Sequence, residues 1–396
     1  MDLLILNQYF PPDQAATGML LGQLSDQLGR SLDVTVVCGT PTYNPGAPRP
    51  AVESTAHRVP LFSISRTWMI FRLFNYLIFS IGALLKALLL PRHDVIMCWT
   101  DPPWISGIGA IVKAIKGSTL VLVHQDIYPE ILVATGKMNR GKVFSFLQRA
   151  SALMLANADH HVVIGKEMVP ILATKKIPTH RITVIENWQD VSAIRPTDGH
   201  TFRDGHQIGR DTFVVMHSGN MGFSQNLDLL LDAAERLQEE PILFLLIGDG
   251  ARKRHLSEKA EKLGLANIRF LPYQPDNQLS ESLCAADVHY VSLLESFAGV
   301  IVPSKTYGIM AAGRATVAVL PKNCTTKDVI EKSDSGVFAS NDVMDLATVL
   351  LELSRNRSKV EHMGKNARTY AERSGGKENA ANKYASLLKN VLQIQR

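Results

Sequence analysis

The stretch VPSKTYGIMAAGRA, from Val302 to Ala315, combines residue types that suit the binding of an anion. Pro303 can supply the first turn of a helix, and Ser304 and Lys305 then stand at its start. Unpaired backbone N–H groups and partial positive charge gather at a helix N-terminus, so a hydroxyl and a lysine placed there suit a diphosphate. An ordinary amphipathic helix with a surface lysine shows the same pattern. The stretch alone therefore leaves both interpretations open.

Two glycine turns earlier in the chain favour the diphosphate interpretation. In FVVMHSGNMG a predicted strand runs into a turn that holds Gly219 and Gly222, and PILFLLIGDG repeats the plan with Gly248. The carboxyl ends of parallel strands meet at one edge of a sheet, where open α/β sheets bind their ligands. The three segments together predict a nucleotide-diphosphate site.

Length and composition describe a globular protein of two domains. The 396 residues leave room for two domains of about 180 residues each, and the 46% hydrophobic content suffices for large cores. The four cysteines lie far apart without a CxxC or Cys/His pairing, which argues against zinc and against a disulfide framework. A reducing cytosol fits this pattern. Because Met1 leads straight into a predicted strand, we expect no cleavable signal peptide.

The net positive charge of the chain comes from one segment. The net charge is +5, and six basic residues stand against one acidic residue between Arg49 and Arg92. The remaining chain is balanced. We therefore do not expect a diffuse nucleic-acid-binding surface.

The same segment contains an unusually apolar predicted helix. Leu73 to Leu85 are thirteen uncharged residues, fewer than the about 20 that a membrane span needs. Only a narrow stripe, formed by Arg72, Asn75, Gly82 and Lys86, interrupts its apolar surface. Such a helix is either buried in a core or cleft, or lies in a membrane interface. Because the basic excess coincides with it, we favour peripheral membrane contact through residues 66–90.

The order of the motifs resembles a known family. SGNMG, LIGDG, AADVHYVSL and VPSKTYGIMAAGR follow one another as in the donor-binding half of GT-B glycosyltransferases of family 4. The resemblance is strongest to the bacterial branch that makes O-antigen, capsule or colanic-acid-like polymers, and NQYFPPDQAATG and HQDIYPEILVATG near the N-terminus fit the same branch. It implies an α/β fold with two Rossmann-like domains facing across a cleft and a C-terminal helix that crosses back to the first domain.

The resemblance and the composition also suggest domain limits. We expect an acceptor-binding domain at 1–193, joined by the C-terminal helix 376–396, and a donor-binding domain at 212–375. The polar stretch 194–211, with three glycines and one proline, is predicted to be the linker. In the first domain, a loop that includes Thr17 and Gly18 is predicted to precede a helix that begins near Met19.

The resemblance further implies which residues contact the substrates. GT-B enzymes generally stabilise the departing diphosphate with helix dipoles, backbone amides and basic side chains, so we expect no metal and no other cofactor. The candidates for donor binding are Gly18, Gly219, Asn220, Gly222, Gly248, Lys253, Ser304, Lys305 and Glu295. The candidates that face the acceptor in the cleft are Thr17 and Asn187.

Asp126 is the first candidate for a functional carboxylate. QDIYPE follows a predicted strand and resembles the family's Asp-x-x-Pro-Glu segment. Asp126 would orient or deprotonate the acceptor hydroxyl, with Glu130 and His124 as further catalytic candidates nearby. The alternative, in which Asp126 only caps the following turn, stays open. Family 4 enzymes are retaining, which implies that the leaving phosphate itself helps to take the acceptor proton.

The chain departs from the family pattern at the donor site. Many members have an Arg just after the first glycine and a Lys five residues later, where this chain has Asn220 and Gln225. The family's Glu-x7-Glu pair, whose second carboxylate holds the ribose, falls on Val300 and Gly308. Charge for the diphosphate must then come from another residue. Glu295 is the candidate substitute for the ribose contact, unless it is an ordinary solvated loop acid.

The function implied is sugar transfer, with retention, from a nucleotide donor to a polyprenyl-diphosphate-linked saccharide in bacterial surface polysaccharide synthesis. The resemblance favours a UDP-sugar and a location at the cytoplasmic face of the inner membrane. An NAD-dependent oxidoreductase would need GxGxxG after its first strand, where this chain has NQYFPPDQAATG. A GT-B sugar-nucleotide 2-epimerase and an inactive nucleotide-sugar-binding partner remain as alternatives.

Overall fold

A computed structural model of the chain describes residues 1–13, 15–41, 55–62 and 69–394, the side chains of 69 and 70 excepted. The described residues divide into two compact units. The first unit comprises Met1–Asn187, Gly299–Ile301 and the residues from Lys377 onward, and the second comprises Trp188–Ala298 and Val302–Gly376.

The first unit is built on a parallel sheet that has seven strands within the described residues. The strands are β1 Asp2–Leu6, β2 Asp33–Gly39, β3 Thr55–Val59, β4 Val95–Cys98, β5 Thr119–His124, β6 His160–Val163 and β7 Ile182–Val184. Their order in the sheet is β3-β2-β1-β4-β5-β6-β7. All residues of β4 and β5 are buried, as expected of apolar strands covered on both faces.

The described part of the second unit repeats this plan with six parallel strands. They are β8 Phe213–Ser218, β9 Ile242–Ile247, β10 Ile268–Leu271, β11 Val288–Ser292, β12 Ala315–Val319 and β13 Gly336–Phe338. Their order is β10-β9-β8-β11-β12-β13. Both sheets therefore have the Rossmann arrangement, in which the strand order reverses beside the first strand.

Helices occupy the connections between the strands. Within the described residues they are α1 Ala16–Gly29, α2 Met69–Leu89, α3 Ile105–Lys116, α4 Glu130–Ala134, α5 Lys142–Leu155, α6 Val169–Thr174, α7 His200–Gly205, α8 Leu227–Arg236, α9 Lys253–Lys262, α10 Leu279–Cys284, α11 Lys305–Ala311, α12 Thr325–Ser333, α13 Val343–Arg355, α14 Arg357–Arg373 and α15 Lys377–Ile394. The C-terminal helix α15 packs against α1 in the first unit. Tyr384 and Leu388 are completely buried there.

The start of α1 differs from the prediction. The helix begins at Ala16, so Thr17 and Gly18 lie in its first turn and not in a loop before it. A Cβ atom on Gly18 would lie 3.2 Å from the backbone of both Tyr9 and Phe10. The glycine at this position therefore allows the helix to pack closely on the loop that follows β1.

Residues 194–211, predicted to be a linker, form part of the second unit. Phe202 and Ile208 are buried in a core cluster with side chains of β8 and β9. Arg203 donates a hydrogen bond to the Ala285 carbonyl (2.8 Å) and forms an ion pair with Asp287 (2.7 Å). The polar composition of this stretch conceals these anchors, because a few buried side chains suffice to hold it.

Helix α2 is longer than the uncharged run in the sequence, because it continues through both Arg72 and Lys86. By length and composition alone, Phe71–Leu89 is sufficient to cross a membrane, and 33% of an 18-residue window within it is buried. Part of the predicted basic segment, including Arg49 and residues 66–68, lies outside the described residues.

Candidate active site

The strand order reverses at β1 and β4 in the first sheet and at β8 and β11 in the second. Open α/β sheets bind ligands beyond the carboxyl ends of the strands at such a point. In the second unit the loop after β8 begins at Gly219, and the loop after β9 begins at Gly248. The first predicted glycine turn therefore lies at this switch point, and the second lies beside the first, because β9 neighbours β8 in the sheet.

The two glycine turns pack backbone against backbone. Gly219, Gly248 and Gly250 have φ values of 131°, 136° and 152°, which side-chain-bearing residues rarely adopt. A Cβ atom on Gly248 would overlap the Gly219 carbonyl oxygen, and one on Gly250 would lie 2.6 Å from the Met221 carbonyl oxygen. The Met221 amide donates to the Asp249 carbonyl at 2.8 Å. The loops are thus held together with no room for side chains between them.

Lys305 lies beside this pair of loops. Its Nζ atom is 3.4 Å from Nδ1 and 3.3 Å from Nε2 of His217, the residue before the last of β8. A Cβ atom on Gly219 would lie 3.8 Å from the same Nζ atom. The predicted neighbours Lys305 and Gly219 are therefore brought together by the fold.

Burial controls the charge of both basic groups. Desolvation lowers the pKa of Lys305 to about 7, and desolvation, with Lys305 adding to it, holds the pKa of His217 well below its usual range. His217 is therefore neutral at pH 7, and the Lys305 ammonium loses its proton far more readily than that of a surface lysine. An anion placed beside Lys305 would favour the ammonium form and complete its charge pairing.

Two polar side chains near the glycine turns, Lys253 and Gln225, form hydrogen bonds to the backbone of these turns. Lys253 donates a hydrogen bond to the Gly248 carbonyl at 3.1 Å, so it fastens the start of α9 to the second turn. The Gln225 side chain accepts from the Gly222 amide at 3.4 Å. The residue that departs from the family pattern at 225 thus supports the first turn.

Two other candidates for donor binding, Ser304 and Glu295, are exposed. Ser304 is the exposed residue before α11, and its side chain makes no capping hydrogen bond to that helix. Because α11 has only seven residues, the field at its N-terminus is modest, and Lys305 is the main charge there. Glu295 is exposed in a short turn after β11.

In the first unit, Asp126 follows β5 and lines an open cavity of about 530 Å³ together with Tyr76, Trp104 and Tyr128. Burial raises the pKa of Asp126 to about 7, the nearby Asp101 carboxylate adds to the rise, and Arg72 opposes it. A carboxyl group that titrates near neutral pH is suited to proton transfer. The structure therefore gives Asp126 an environment that a simple turn cap would not require.

Glu130 and His124 have structural partners. Glu130 forms an ion pair with the buried Lys175 at 2.8 Å, and Lys175 also donates to the Tyr128 carbonyl at 3.0 Å. His124 stacks on His161, with ring nitrogens 3.0 Å apart, and burial lowers the pKa of His124 to about 4. Both residues thus brace the segment that carries Asp126.

The two cleft candidates also have structural surroundings in the first unit. Asn187 exchanges a reciprocal pair of hydrogen bonds with the amide of Gln125, both at 3.0 Å. This pair fixes the backbone directly before Asp126. Thr17 is half-buried in the first turn of α1.

The sequence analysis did not identify Arg72 and Tyr76 as site residues. Arg72 on α2 donates to the Tyr76 hydroxyl from Nε (2.9 Å) and Nη2 (2.7 Å), and both side chains line the cavity beside Asp126. The i, i+4 spacing of an arginine and a tyrosine was visible, but the contact of α2 with the loop after β5 was not. Among the described residues, no group of three or more His, Cys, Asp or Glu side chains could hold a metal ion.

Comparison with known proteins establishes the class. Residues 18–188 match the family model described as a glycosyl transferase 4-like domain, and residues 199–370 match that of glycosyl transferases group 1. The two matches together span most of the chain. The protein therefore belongs to the GT-B glycosyltransferases of family 4, as the order of its motifs predicted.

Particular relatives are similar along nearly their whole length. The probable glycosyltransferase WbjE of Pseudomonas aeruginosa is 25% identical over 363 residues, 89% of each chain. The putative colanic acid biosynthesis glycosyl transferase WcaI of Escherichia coli (strain K12) is 23% identical over 97% of this chain and 98% of its own.

Solved structures confirm the predicted GT-B fold. Alr3699/HepE of Anabaena, in complex with UDP, has a TM-score of 0.75 at 16% identity and covers 98% of this chain and 100% of its own. Sucrose-phosphate synthase from Thermosynechococcus elongatus has a TM-score of 0.81 at 14% identity, with 100% of both chains covered.

The packing of the glycine turns predicts that alanine destabilises the protein more at Gly248 than at a glycine with open space around it. Gly248→Ala should lower the free energy of unfolding by more than about 2 kcal/mol, because the added methyl group meets the Gly219 backbone in a strained φ region. Gly264→Ala is the control, since Gly264 has a φ of 63° with no atom within 4 Å of an added Cβ. It should cost about 1 kcal/mol. Urea unfolding measures both, and equal losses would contradict the close packing.

Proposed function

We propose that this protein transfers a sugar, with retention, from a UDP-sugar to a lipid-linked saccharide during bacterial surface polysaccharide synthesis. The observation that carries the proposal is Lys305, half-buried beside two interlocked glycine turns at the carboxyl edge of the second sheet, with its Nζ atom 3.3 Å from the buried His217. The name of WcaI refers to colanic acid biosynthesis, and the HepE structure contains UDP. Both support the proposed substrates.

The chemistry at the donor side follows from the charge of Lys305. As the bond between the sugar and the diphosphate breaks, negative charge builds up on the leaving phosphate. The Lys305 ammonium and the backbone amides of the glycine turns would stabilise that charge in a desolvated site. These groups can act without a metal, so the proposed reaction requires none.

At the acceptor side, Asp126 would hold the attacking hydroxyl. Its carboxylate accepts a hydrogen bond from that hydroxyl and orients it toward the anomeric carbon. We propose a front-face mechanism, in which the acceptor attacks from the side on which the phosphate leaves. The leaving phosphate then shares the acceptor proton, so Asp126 need not remove it alone. A pKa near neutral pH is compatible with this shared role.

The proposed location is the cytoplasmic face of the bacterial inner membrane. Helix α2 exposes a row of apolar side chains, α3 packs beside it, and α5 packs beside α3. Exposed large hydrophobic residues on these helices are Phe71, Leu73, Phe74, Leu77, Ile81, Leu85, Leu89, Ile111, Ile115, Val143, Phe146 and Leu153. Contiguous exposed apolar surface of this kind suits contact with lipid, with nearby basic residues meeting anionic headgroups.

Nucleotide binding provides the first test. UDP should raise the melting temperature of the purified protein, and GDP and NAD should do so less; a ligand at 100 times its dissociation constant stabilises by about 2.7 kcal/mol. A shift with NAD alone would overturn the proposal. UDP-sugar turnover only in the presence of a bacterial lipid extract would exclude a 2-epimerase and an inactive binding partner.

The pKa of Lys305 predicts how UDP binding depends on pH. Above about pH 7 the free protein loses the Lys305 proton, so binding UDP requires proton uptake and affinity should fall by up to tenfold per pH unit. The terminal phosphate of UDP is already ionised there. Lys305→Met should weaken binding by about ten- to a hundredfold near pH 7 and remove the slope.

Calorimetry in buffers of different ionisation enthalpy measures this proton uptake directly. Lys253→Met is the matched control, because Lys253 lies in the same unit and bonds to the Gly248 carbonyl. It should retain the pH slope whatever it does to affinity. A wild-type affinity that does not change between pH 7 and 9 would show that Lys305 does not titrate against the diphosphate.

The pKa of Asp126 predicts an acidic limb in the rate of transfer. The carboxylate forms as the pH rises through about 7, so kcat/KM should rise up to that pH and level off above it. Asp126→Asn should lower the rate by about a hundredfold or more and remove the limb. Asp101→Asn should move the limb to lower pH, since the Asp101 carboxylate raises the pKa of Asp126. UDP release with lipid extract as acceptor measures each profile, and an unchanged limb in Asp126→Asn would assign it elsewhere.

The exposed row on α2 predicts how charge affects membrane binding. Replacing Ile81 and Leu85, which are 63% and 56% exposed, with glutamate should weaken sedimentation with anionic vesicles by at least about tenfold. The reason is that the glutamate side chains would bury less apolar surface in the membrane than isoleucine and leucine do. Met344→Glu, at a residue 54% exposed in the second unit, is the control and should leave vesicle binding unchanged. Equal effects of the two changes would contradict contact through α2.

A further inference from the structure

The cavity beside Asp126 has two chemically different parts. Its polar part contains Asp126, Tyr128 and the Arg72–Tyr76 pair, which are close enough to shift one another's ionisation. Much of the remaining lining comes from α4 and α5 and is mainly apolar. Their aliphatic members are Ile131, Leu132, Leu147, Ala150 and Met154.

The apolar walls are built from the faces of two helices. Leu147, Ala150 and Met154 recur at three- and four-residue spacing on α5, so they form one face of that helix. Ile131 and Leu132 face the same space from α4. A volume of about 530 Å³ lies within the range of sites that enclose small organic ligands. A sugar would leave its hydroxyl groups unpaired along such walls, whereas a hydrocarbon chain would not.

The charged residues at the cavity indicate where a head group would bind, and the exposed surface next to it indicates where the rest of the chain would lie. Arg72 and Lys137 both line the cavity, and Lys137 is exposed, so two cations border its apolar walls. Leu73, 49% exposed, lines the cavity and also starts the row of exposed side chains on α2 at 77, 81, 85 and 89. The row extends about 24 Å along the helix. Apolar surface is therefore continuous from the cavity onto the outside of α2.

We propose that this cavity binds the first isoprenoid-like units of the lipid carrier of the acceptor, with the carrier's diphosphate between Arg72 and Lys137. The inference rests on the proposed function and specifies its acceptor. The sugar attached to the diphosphate then reaches Asp126 at the polar part of the same cavity, and the rest of the chain leaves along α2. An acceptor held in this way carries a short saccharide, so the enzyme acts early in the assembly of the polymer.

Farnesyl diphosphate is a probe of suitable chemistry, because it joins a short isoprenoid chain to a diphosphate. Its binding to the full-length protein is measured by calorimetry in the presence of saturating UDP and again with Lys305→Met, so that the donor site cannot account for it. Farnesyl diphosphate should bind at least tenfold more tightly than farnesol or inorganic diphosphate. Lys137→Gln should weaken the binding of farnesyl diphosphate and leave that of farnesol unchanged.

A bulky residue in the apolar wall provides the decisive variant. Ala150→Trp should weaken farnesyl diphosphate binding at least tenfold, because the indole would occupy the space along the apolar wall where the isoprenoid chain lies. Ser145→Trp, at an exposed residue of the same helix, should change it less than twofold. A retained UDP-induced melting shift shows that the second unit of each variant is folded, and circular dichroism checks the first.

The outcomes separate the two proposals. If UDP stabilises the protein but farnesyl diphosphate does not bind, or binds equally to wild type and Ala150→Trp, the cavity does not hold the carrier and the proposed transfer reaction stands. If inorganic diphosphate competes as well as farnesyl diphosphate, the apolar walls are not used and the inference fails. If UDP itself does not bind, the proposed function fails first.

Discussion

The proposed site depends on two ionisable groups near strand ends that are partly shielded from water. Lys305 beside the β8 loop and Asp126 after β5 are both buried enough that their pKa values approach 7 from opposite directions. Each therefore changes charge readily when a ligand of the right sign arrives. A surface lysine or aspartate would keep a fixed charge and would gain little from a ligand already screened by water.

The segments that carry these groups are fixed by contacts that do no chemistry themselves. In the second unit, backbone packing of Gly219 on Gly248 determines the space beside Lys305. In the first unit, the Glu130–Lys175 ion pair and the Gln125–Asn187 amide pair fix the chain on either side of Asp126 in the sequence. Loss of one partner would leave a buried polar group unsatisfied, which costs more than the bond itself contributes. Residues chosen from the sequence as catalytic candidates can thus be those that hold the proposed catalytic group.

Sequence reasoning could predict which segments lie together where local chemistry and strand ends coincide. The glycine turns and Lys305 were predicted because each follows an apolar strand, and parallel strands bring their carboxyl ends together without knowledge of the packing. Strand β3 was not predicted, and neither was the burial of Phe202 in a polar stretch, because both depend on partners distant in the sequence. The role of Arg72 was hidden for the same reason. Its partner Tyr76 is one helical turn away, but the Asp126 carboxyl group, whose pKa Arg72 lowers, is 54 residues later in the chain.

The packing of helix α2 on β3 determines which of its residues are exposed. Gly82, predicted to lie in a polar stripe, instead allows contact with Val59 of β3, where a Cβ atom would overlap that side chain. Tyr76, Phe79 and Ala83 are buried on the same side. Turning the helix by one residue, about 100°, would replace this close fit with larger side chains and expose the buried ones. The packing on β3 therefore sets which residues of α2 face outward, and it also directs Arg72 and Leu73 to the cavity beside Asp126. One helix surface is therefore determined by the sheet, and the other remains exposed.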